Sequence, residues 1–182
     1  QAPDGTFHMV WTSSWTDRII GHASSRDLIH WSEQQAIPVM MHEPTAHNCW
    51  APELFYDEPS QTYYIFWATT IPGRHKEIPT SESEKGLNHR IYYVTTKDFR
   101  TFSKTKMFFN PDFSVIDAAI VKDPKLGDLI MIVKNENSNP PEKNLRVTRT
   151  KKIEKGFPTK VSAPITGKYW AEGPAPLFVG DT

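Results

Sequence analysis

The chain of 182 residues has little of several features that define other protein classes. Its single cysteine, Cys49, excludes an internal disulfide, and its formal net charge of zero provides no basic excess for nucleic acid or an anionic membrane. No apolar run approaches the roughly 20 residues of a membrane-spanning helix, and residues 1–5 do not resemble a secretory leader. The seven histidines lack metal-ligand spacing such as HExxH, and there is no glycine-rich phosphate loop. The sequence therefore gives no reason to expect a metal, a cofactor, a nucleic-acid partner or a membrane.

What the sequence has instead is a series of short apolar runs rich in β-branched and aromatic residues. They occupy residues 6–14, 62–70, 90–96 and 128–135. None of them keeps a period of 3.6 residues, and turn-forming residues separate them. Aromatic residues make up 12% of the chain, which also favours strands. The sequence therefore predicts an all-β protein of many short strands.

Two of these patterns recur along the chain. "SSRDLIHWS" (24–32) resembles "TTKDFRTFS" (95–103), and "PELFYDEPSQTYYIFWATT" (52–70) aligns with "DAAIVKDPKLGDLIMIVKN" (117–135). Residues 172–181 begin a third copy of the second pattern, and residues 4–14 are the tail of an earlier one. The turn acids that mark the copies are separated by 53 to 66 residues; they are Asp4, Asp57, Asp123 and Asp181.

A period of this length with about four strands per unit is typical of β-propeller blades. The repeats predict one partial propeller domain over residues 1–182, with units at roughly 1–47, 48–112 and 113–168 and a further start at 169–182. Residues 71–89 and 135–144 are interpreted as polar loops between the second and third strands of their blades. Such loops either rim a pocket or are ordinary solvated surface.

Acidic residues stand where the repeat alignment begins the first strand of each blade. These residues are Glu53, Asp117 and Glu172. First strands line the central channel of a propeller, so their starts converge at one end of its axis. Convergent carboxylates repel one another, which makes them candidates for protonating a leaving group and activating water. The alternative is that they cap turns or accept backbone N–H groups at strand ends.

At these residues the chain resembles glycoside hydrolase family 43. The resemblance is carried by "NCWAPELFYD" (48–57), "FSVIDAAIVKD" (113–123) and "AEGPAPLFVGD" (171–181), with support from residues 4–12 and 24–31. Members of that family are five-bladed propellers that remove arabinose or xylose from plant polysaccharides. The resemblance thus implies an inverting glycosidase with an oligo- or polysaccharide substrate and an extracellular or periplasmic location. About three of the five blades are present.

The resemblance also implies roles for individual residues. Glu172, in Glu-Gly-Pro, matches the general acid, and its apolar sequence neighbours are expected to raise its pKa. Asp117, in Ile-Asp, matches the carboxylate that orients the acid and tunes its pKa. Trp50 and Glu53 are the substrate-side candidates, with a core aromatic ring and a structural carboxylate as the alternatives.

The general base of the family is not found in this sequence. Asp4 aligns with the turn acids and not with the channel acids, so the base is expected upstream of Gln1. The chain is therefore interpreted as a fragment that does not hydrolyse glycans alone. Lys134 and Glu136 are additional candidates for reaching the pocket, and a solvated strand end is the competing interpretation.

Two other functions remain open from the sequence. One is a carbohydrate-binding propeller that has lost catalysis. The other is a related five-bladed enzyme, of the fructan hydrolase or mannoside phosphorylase type; the first of these is disfavoured because its acid is typically followed by Cys, whereas Gly173 follows Glu172. The sequence does not indicate an oligomeric state.

Overall fold

The computed structural model describes residues 1–76, 86–137 and 140–178, and within them the chain is built almost entirely of strands. The strands are β1 (Phe7–Thr12), β2 (Ile20–Ser25), β3 (Gln35–Ile37), β4 (Trp50–Asp57), β5 (Thr62–Thr70), β6 (His89–Thr96), β7 (Lys106–Phe109), β8 (Val115–Lys122), β9 (Leu129–Asn135) and β10 (Asn144–Thr150). A short 3₁₀ helix, Ile153–Lys155, follows β10. The prediction of an all-β chain is confirmed. Over the described residues, no helix has the length and apolarity needed to cross a membrane.

The strands form antiparallel sheets that follow one another along the chain. The first is β1-β2-β3, the second β4-β5-β6-β7 and the third β8-β9-β10. β1 packs against β4, and β8 packs against β4, β5 and β6. Successive antiparallel sheets packed face to face are the arrangement of a β-propeller. The unit boundaries drawn from the sequence repeats stay a prediction.

The second sheet is buried on both faces, which explains the uninterrupted apolar run in β5. Side chains alternate between the two faces of a strand. Ile65 and Trp67 therefore lie in the core shared with the first sheet, whereas Phe66 and Ala68 lie in the core shared with the third. All four are fully buried. A strand with a core on each side cannot show the alternation of apolar and polar residues that marks a half-exposed strand.

The repeated motifs of the sequence form the same turn twice. Asp27 accepts the backbone N–H groups two and three residues further on, at 2.9 and 2.8 Å, and Asp98 does so at the same distances. The hydroxyl two residues earlier, on Ser25 or Thr96, accepts an N–H group at 2.9 Å in each copy. The residue after each aspartate has a positive φ, of 65° and 54°. The sequence repeat is thus a repeat of backbone hydrogen bonding.

The sequence predicts an aspartate-initiated turn before the second strand of each repeat unit, and three of these turns are present. Asp4, Asp57 and Asp123 each accept a backbone N–H group of their own turn, at 2.9, 3.2 and 2.9 Å. Asp181 lies outside the described residues.

One end of the sheets collects the loops that matter for function. β4 and β8 begin there, and β5 and β9 end there, because antiparallel neighbours alternate in direction. The described parts of the connections between β1 and β2, between β5 and β6, and between β9 and β10 lie at this end, as residues 13–19, 71–76 with 86–88, and 136–137 with 140–143. The two polar loops predicted from the sequence occupy the latter two connections. Residues 77–85 and 138–139 within them lie outside the described part of the chain.

Candidate active site

The first strands of the second and third sheets each begin with a β-bulge whose extra residue has a left-handed backbone. In β4 the register with β5 shifts after Trp50, and Ala51 has φ of 45°. In β8 the register with β9 shifts after Ile116, and Asp117 has φ of 51°. Gly173 also has a positive φ, of 59°, but it lies outside the strands. Bulges re-aim side chains at sheet ends and are common beside active sites.

The bulges correct the alignment of the channel acids. Ala51 and Asp117 both lie six residues before a turn acid, Asp57 and Asp123 respectively. Ala51 is therefore the counterpart of Asp117, and the prediction that Glu53 shares this position is wrong. The sequence alignment was shifted by two residues because it matched one acid with another and did not count back from the turns.

Asp117 is bound to the segment that carries Glu172. Its Oδ2 accepts the backbone N–H of Gly173 at 3.0 Å, which ties the two acid-bearing segments together. Burial raises the pKa of Asp117 above its ordinary value, against the opposing effects of the Gly173 N–H and the Lys134 ammonium. The charges of Glu172 and Glu136 add to the upward shift. Asp117 is thus the carboxylate of the site that is biased towards its protonated form.

A buried lysine joins the remaining acids. Lys134 lies at the end of β9 with only 5% of its side chain exposed, and its Nζ donates to Glu172 Oε2 at 2.5 Å. The same Nζ is 2.8 Å from Glu136 Oε2, and Glu136 also accepts from Lys143. Burial alone lowers the pKa of Lys134, but the hydrogen bonds that its ammonium donates to Glu136 and Glu172 outweigh burial and raise the pKa. Lys134 is therefore a cation held between two carboxylates.

The environment of Glu172 differs from the one expected from its apolar sequence neighbours. Its side chain is 73% exposed, and the hydrogen bond from Lys134 lowers its pKa, with a further contribution from the charge of Lys143. The expected raised pKa is therefore wrong for this conformation. Trp170, two residues earlier, is itself 77% exposed and has the Lys143 ammonium 6.0 Å from its ring centre.

The structure also corrects the interpretation of Lys134 and Glu136. The interpretation that they form a solvated strand end is wrong, because both residues are buried. The backbone N–H of Glu136 donates to Ser114 O at 2.8 Å, and Ser114 Oγ accepts the N–H of His89 at 3.0 Å. These bonds connect the acid cluster of the third sheet to the start of β6 in the second.

Two tryptophans, Trp50 and Trp15, connect His89 with the loop after β1. The ring of Trp50 is tilted against His89 at 4.9 Å and meets the ring of Trp15 edge-on at 5.5 Å. Trp50 Nε1 donates to the carbonyl oxygen of Trp15 at 2.9 Å. Trp50 is half-buried, whereas Trp15 is 78% exposed. The pair presents exposed indole surface next to His89, and the C–H faces of sugar rings pack well on such surface.

The imidazole of His89, against which the ring of Trp50 lies, is neutral. It is completely buried, and its Nε2 is 2.9 Å from Asn48 Nδ2. Burial, reinforced by nearby cations, lowers the pKa of His89 to about 3. A neutral imidazole therefore backs Trp50 at ordinary pH. Cys49, next to Trp50, is a buried filler as predicted, and burial raises the pKa of its thiol to about 12.

Glu53 belongs to a different part of the surface. Its Oε1 accepts the N–H of Leu54 at 2.9 Å, and the residue lines a cavity of about 350 Å³ together with His8 and Tyr63. Crowding by protein atoms desolvates the carboxylate and raises its pKa, although the residue keeps an exposed surface. Its role in substrate binding stays a prediction.

Sequence reasoning missed Lys143 and Trp15. Neither stands in a recognised motif, and each reaches the site from a loop between a second and a third strand. The repeat alignment could have identified Trp15. The loop after "VWTSS", which contains Trp15, corresponds to the loop after "FWATT", which was interpreted as a possible pocket rim. Among the described residues, no group of three or more His, Cys, Asp and Glu side chains is arranged to hold a metal ion.

Comparisons with known proteins show which family this chain is similar to. A family model described as a probable glycosyl hydrolase domain, related to glycoside hydrolase family 43, matches residues 6–175. An α-L-arabinofuranosidase of Bifidobacterium longum subsp. longum is 23% identical over 104 residues, which cover 54% of this chain and 10% of that protein.

Solved structures show the same fold at low identity. A Hadza microbial sialidase superposes with a TM-score of 0.64 at 13% identity, over 90% of this chain and 36% of that one. An arabinanase of Bacillus subtilis superposes with a TM-score of 0.55 at 14% identity, over 87% of this chain and 52% of that one. The chain thus spans between about a tenth and about half of the length of these relatives. Because the family model covers most of its residues, the chain belongs to the family of probable glycosyl hydrolase domains related to glycoside hydrolase family 43.

Proposed function

We propose that the protein is a glycoside hydrolase that cleaves arabinofuranosyl or xylosyl linkages of plant polysaccharides with inversion. The observation that carries the proposal is the bond from the Gly173 N–H to Asp117, which brings the Ile-Asp and Glu-Gly-Pro elements together. Membership of the glycosyl hydrolase family supports a carbohydrate substrate. The arabinofuranosidase among its relatives makes arabinofuranosyl linkages the first choice.

Glu172 is proposed as the proton donor to the leaving oxygen, and Asp117 as the carboxylate that positions it. The backbone of Gly173, adjacent to Glu172, is fixed on Asp117, so the orientation of the donor depends on a half-buried carboxylate. Trp15 and Trp50 are proposed to pack on the sugar ring from the side of the first sheet. The role of catalytic base is assigned to none of these residues.

The bond between Glu172 and Lys134 sets a condition on this mechanism. A general acid must carry a proton, but a lysine ammonium has no acceptor for a carboxyl O–H group. The proton that Glu172 later donates therefore has to lie on Oε1, while Oε2 keeps its hydrogen bond from Lys134. The leaving oxygen of the substrate offers the lone pairs that Lys134 lacks.

Replacement of Glu172 by Gln tests the donor role. We expect hydrolysis of a natural arabinan or arabinoxylan to fall by about 10²- to 10⁴-fold, because assistance by a general acid is lost. An aryl arabinofuranoside with a good leaving group should be affected less, since that group departs with little protonation. Initial rates are measured on both substrates with a longer gene product that contains this chain, because no catalytic base is assigned within the chain itself.

Glu58→Gln serves as the matched control, because Glu58 is an exposed acid on the turn after β4. It should leave both rates unchanged. Equal rates of the Glu172→Gln variant and the parent on the natural glycan would rule out Glu172 as the donor.

A carbohydrate-binding protein without catalysis is the second candidate. It is favoured by one observation, the ion pair that keeps Glu172 in its ionised form. Calorimetric titration with arabino-oligosaccharides separates the two functions. A binding protein would bind the oligosaccharide without cleaving it, and Trp15→Ala would abolish this binding. The proposed enzyme would release product.

A further inference from the structure

Lys134 combines a buried side chain with a contact to an exposed carboxylate of the candidate site. Its side chain is 5% exposed, yet its ammonium contacts the 73% exposed carboxylate of Glu172 at 2.5 Å. A buried ammonium is costly unless it is paired and hydrogen-bonded. Here the pairing is supplied from both directions, by Glu136 at 2.8 Å and by Glu172.

Glu136 fixes Lys134 from the inside. Only 10% of the Glu136 side chain is exposed, and its second oxygen accepts from Lys143. Its backbone N–H is bound to Ser114 O at 2.8 Å, so the residue is held at both its main chain and its side chain. Lys134 is therefore anchored before it reaches Glu172. The exposed partner of the pair is Glu172.

We propose that Lys134 is a positioning residue, whose buried ammonium, fixed by Glu136, holds the Glu172 carboxylate beside Asp117. The charged and titratable groups around it come from every neighbouring element: Asp117 from β8, Glu136 after β9, Lys143 before β10, His89 from β6 and Glu172 itself. Lys134 is the group that contacts Glu172 directly. It determines where the carboxylate lies and at which pH it takes up a proton.

This inference rests on the proposed function only for its kinetic consequence. An opposite charge in contact favours the ionised carboxylate, so its removal makes protonation easier and raises the pKa of Glu172. In an enzyme that needs protonated Glu172, the high-pH limb of the rate profile then moves to higher pH. The titration of Glu172 itself needs no turnover.

The test is a carbon-detected NMR titration of the glutamate carboxyl groups in the parent and in Lys134→Met. Glu172→Gln is used to assign the Glu172 signal. We expect the pKa of Glu172 to rise by about 0.5 to 1 pH unit in Lys134→Met, a modest value because the carboxylate is exposed and partly screened by solvent. Lys134→Arg keeps the cation and should leave the pKa within a few tenths of the parent value.

Lys125→Met is the matched control, because Lys125 is exposed at the turn between β8 and β9. It removes the same charge from the same sheet and should not move the Glu172 signal. Glu136 retains Lys143 as a partner in Lys134→Met, so no buried carboxylate is left unpaired. Should Lys134→Met fail to fold, Lys134→Gln removes the charge while its amide still hydrogen-bonds both acids.

An unchanged Glu172 titration in a folded Lys134→Met or Lys134→Gln variant would overturn the inference. A merely structural role for Lys134 would lower the melting temperature without moving this signal. If the signal moves but no substrate is hydrolysed, the positioning role stands and the proposed function fails. If hydrolysis is found and the signal does not move, the proposed function stands and the positioning role of Lys134 fails.

Discussion

At the residue scale, the buried histidines of this protein are neutral, and this state has a consequence for stability. His22 is 4% exposed, and Phe99 stacks on its ring at 4.3 Å and on the ring of His8 at 4.0 Å. Burial, with the charge of His8, lowers the pKa of His22 to about 4. Protonation of His22 would place a charge in this desolvated position, which is why its pKa is lowered.

Stability should therefore fall on acidification. Between pH 6.5 and about 4 the unfolded chain binds a proton at His22 that the folded chain does not, so the free energy of unfolding decreases as the pH falls. One such group contributes at most about 1.4 kcal/mol per pH unit. Urea unfolding at several pH values measures the slope, which should decrease in His22→Gln.

The slope should not vanish in that variant, because His89 is depressed in the same direction. His42→Gln, at an exposed position, is the control and should keep the slope of the parent. A His22→Gln slope equal to that of the parent would show that His22 titrates alike in the folded and unfolded chain.

The environment of Glu172 shows why residue-scale chemistry was the least predictable part of the site. Its sequence neighbours are apolar, and from them a raised pKa follows. The group that decides its charge is Lys134, 38 residues away in the chain, and the contact exists only once β9 and the C-terminal segment lie together. Electrostatic partners brought by tertiary packing leave no trace in the local sequence.

At the element scale, the two copies of the repeated turn place different residues in the same strained conformation. Leu28 has φ of 65° and is 55% exposed, whereas Phe99 has φ of 54° and is 6% exposed. A left-handed backbone costs a non-glycine residue roughly 1 kcal/mol, which glycine avoids. The cost is the same in both turns, but only Phe99 recovers it through burial.

Glycine substitution should thus have opposite effects in the two turns. Leu28→Gly is expected to raise the free energy of unfolding by up to about 1 kcal/mol, because it relieves strain and gives up little packing. Phe99→Gly is expected to lower it by about 3–5 kcal/mol, the usual cost of deleting a buried aromatic ring. Thermal unfolding measures both.

Ile29→Gly is the control for Leu28, because Ile29 is 78% exposed and has no positive φ. It should be slightly destabilising, as glycine in an unstrained position is. Destabilisation by Leu28→Gly as large as that by Ile29→Gly would show that the turn carries no relievable strain.

Elements were largely predictable from the sequence because their signals are local. The turn acids, the hydroxyl-base-aspartate repeat and the short strands all depend on residues within one hairpin. The bulges at Ala51 and Asp117 were not predicted, since a bulge adds one residue to one strand and changes the register without changing the composition. For this reason Glu53 was assigned to a position that Ala51 holds.

At the scale of the whole molecule, the candidate site draws residues from all three sheets, with the second sheet packed between the other two. Trp15 comes from the first sheet, Trp50 and His89 from the second, and Lys134 with Asp117 from the third. The packing of β1 on β4 and of β8 on β4, β5 and β6 aligns these contributions at one end. The repeat period predicted this arrangement, because equivalent loops of successive blades share one end of a propeller.

The central claim is that Glu172 donates a proton in an inverting hydrolysis. Proton NMR, recorded while a longer gene product that contains this chain cleaves an α-linked arabino-oligosaccharide, tests it most directly by reporting which anomer forms first. Inversion places an acid and a base on opposite sides of the sugar with carboxyl groups roughly 6.5–9.5 Å apart, and it requires the product to appear first as the β-anomer. We expect β-arabinose to appear first with the parent protein and to be nearly absent with Glu172→Gln. First appearance of the α-anomer, or an equal yield of the β-anomer from Glu172→Gln, would contradict the claim.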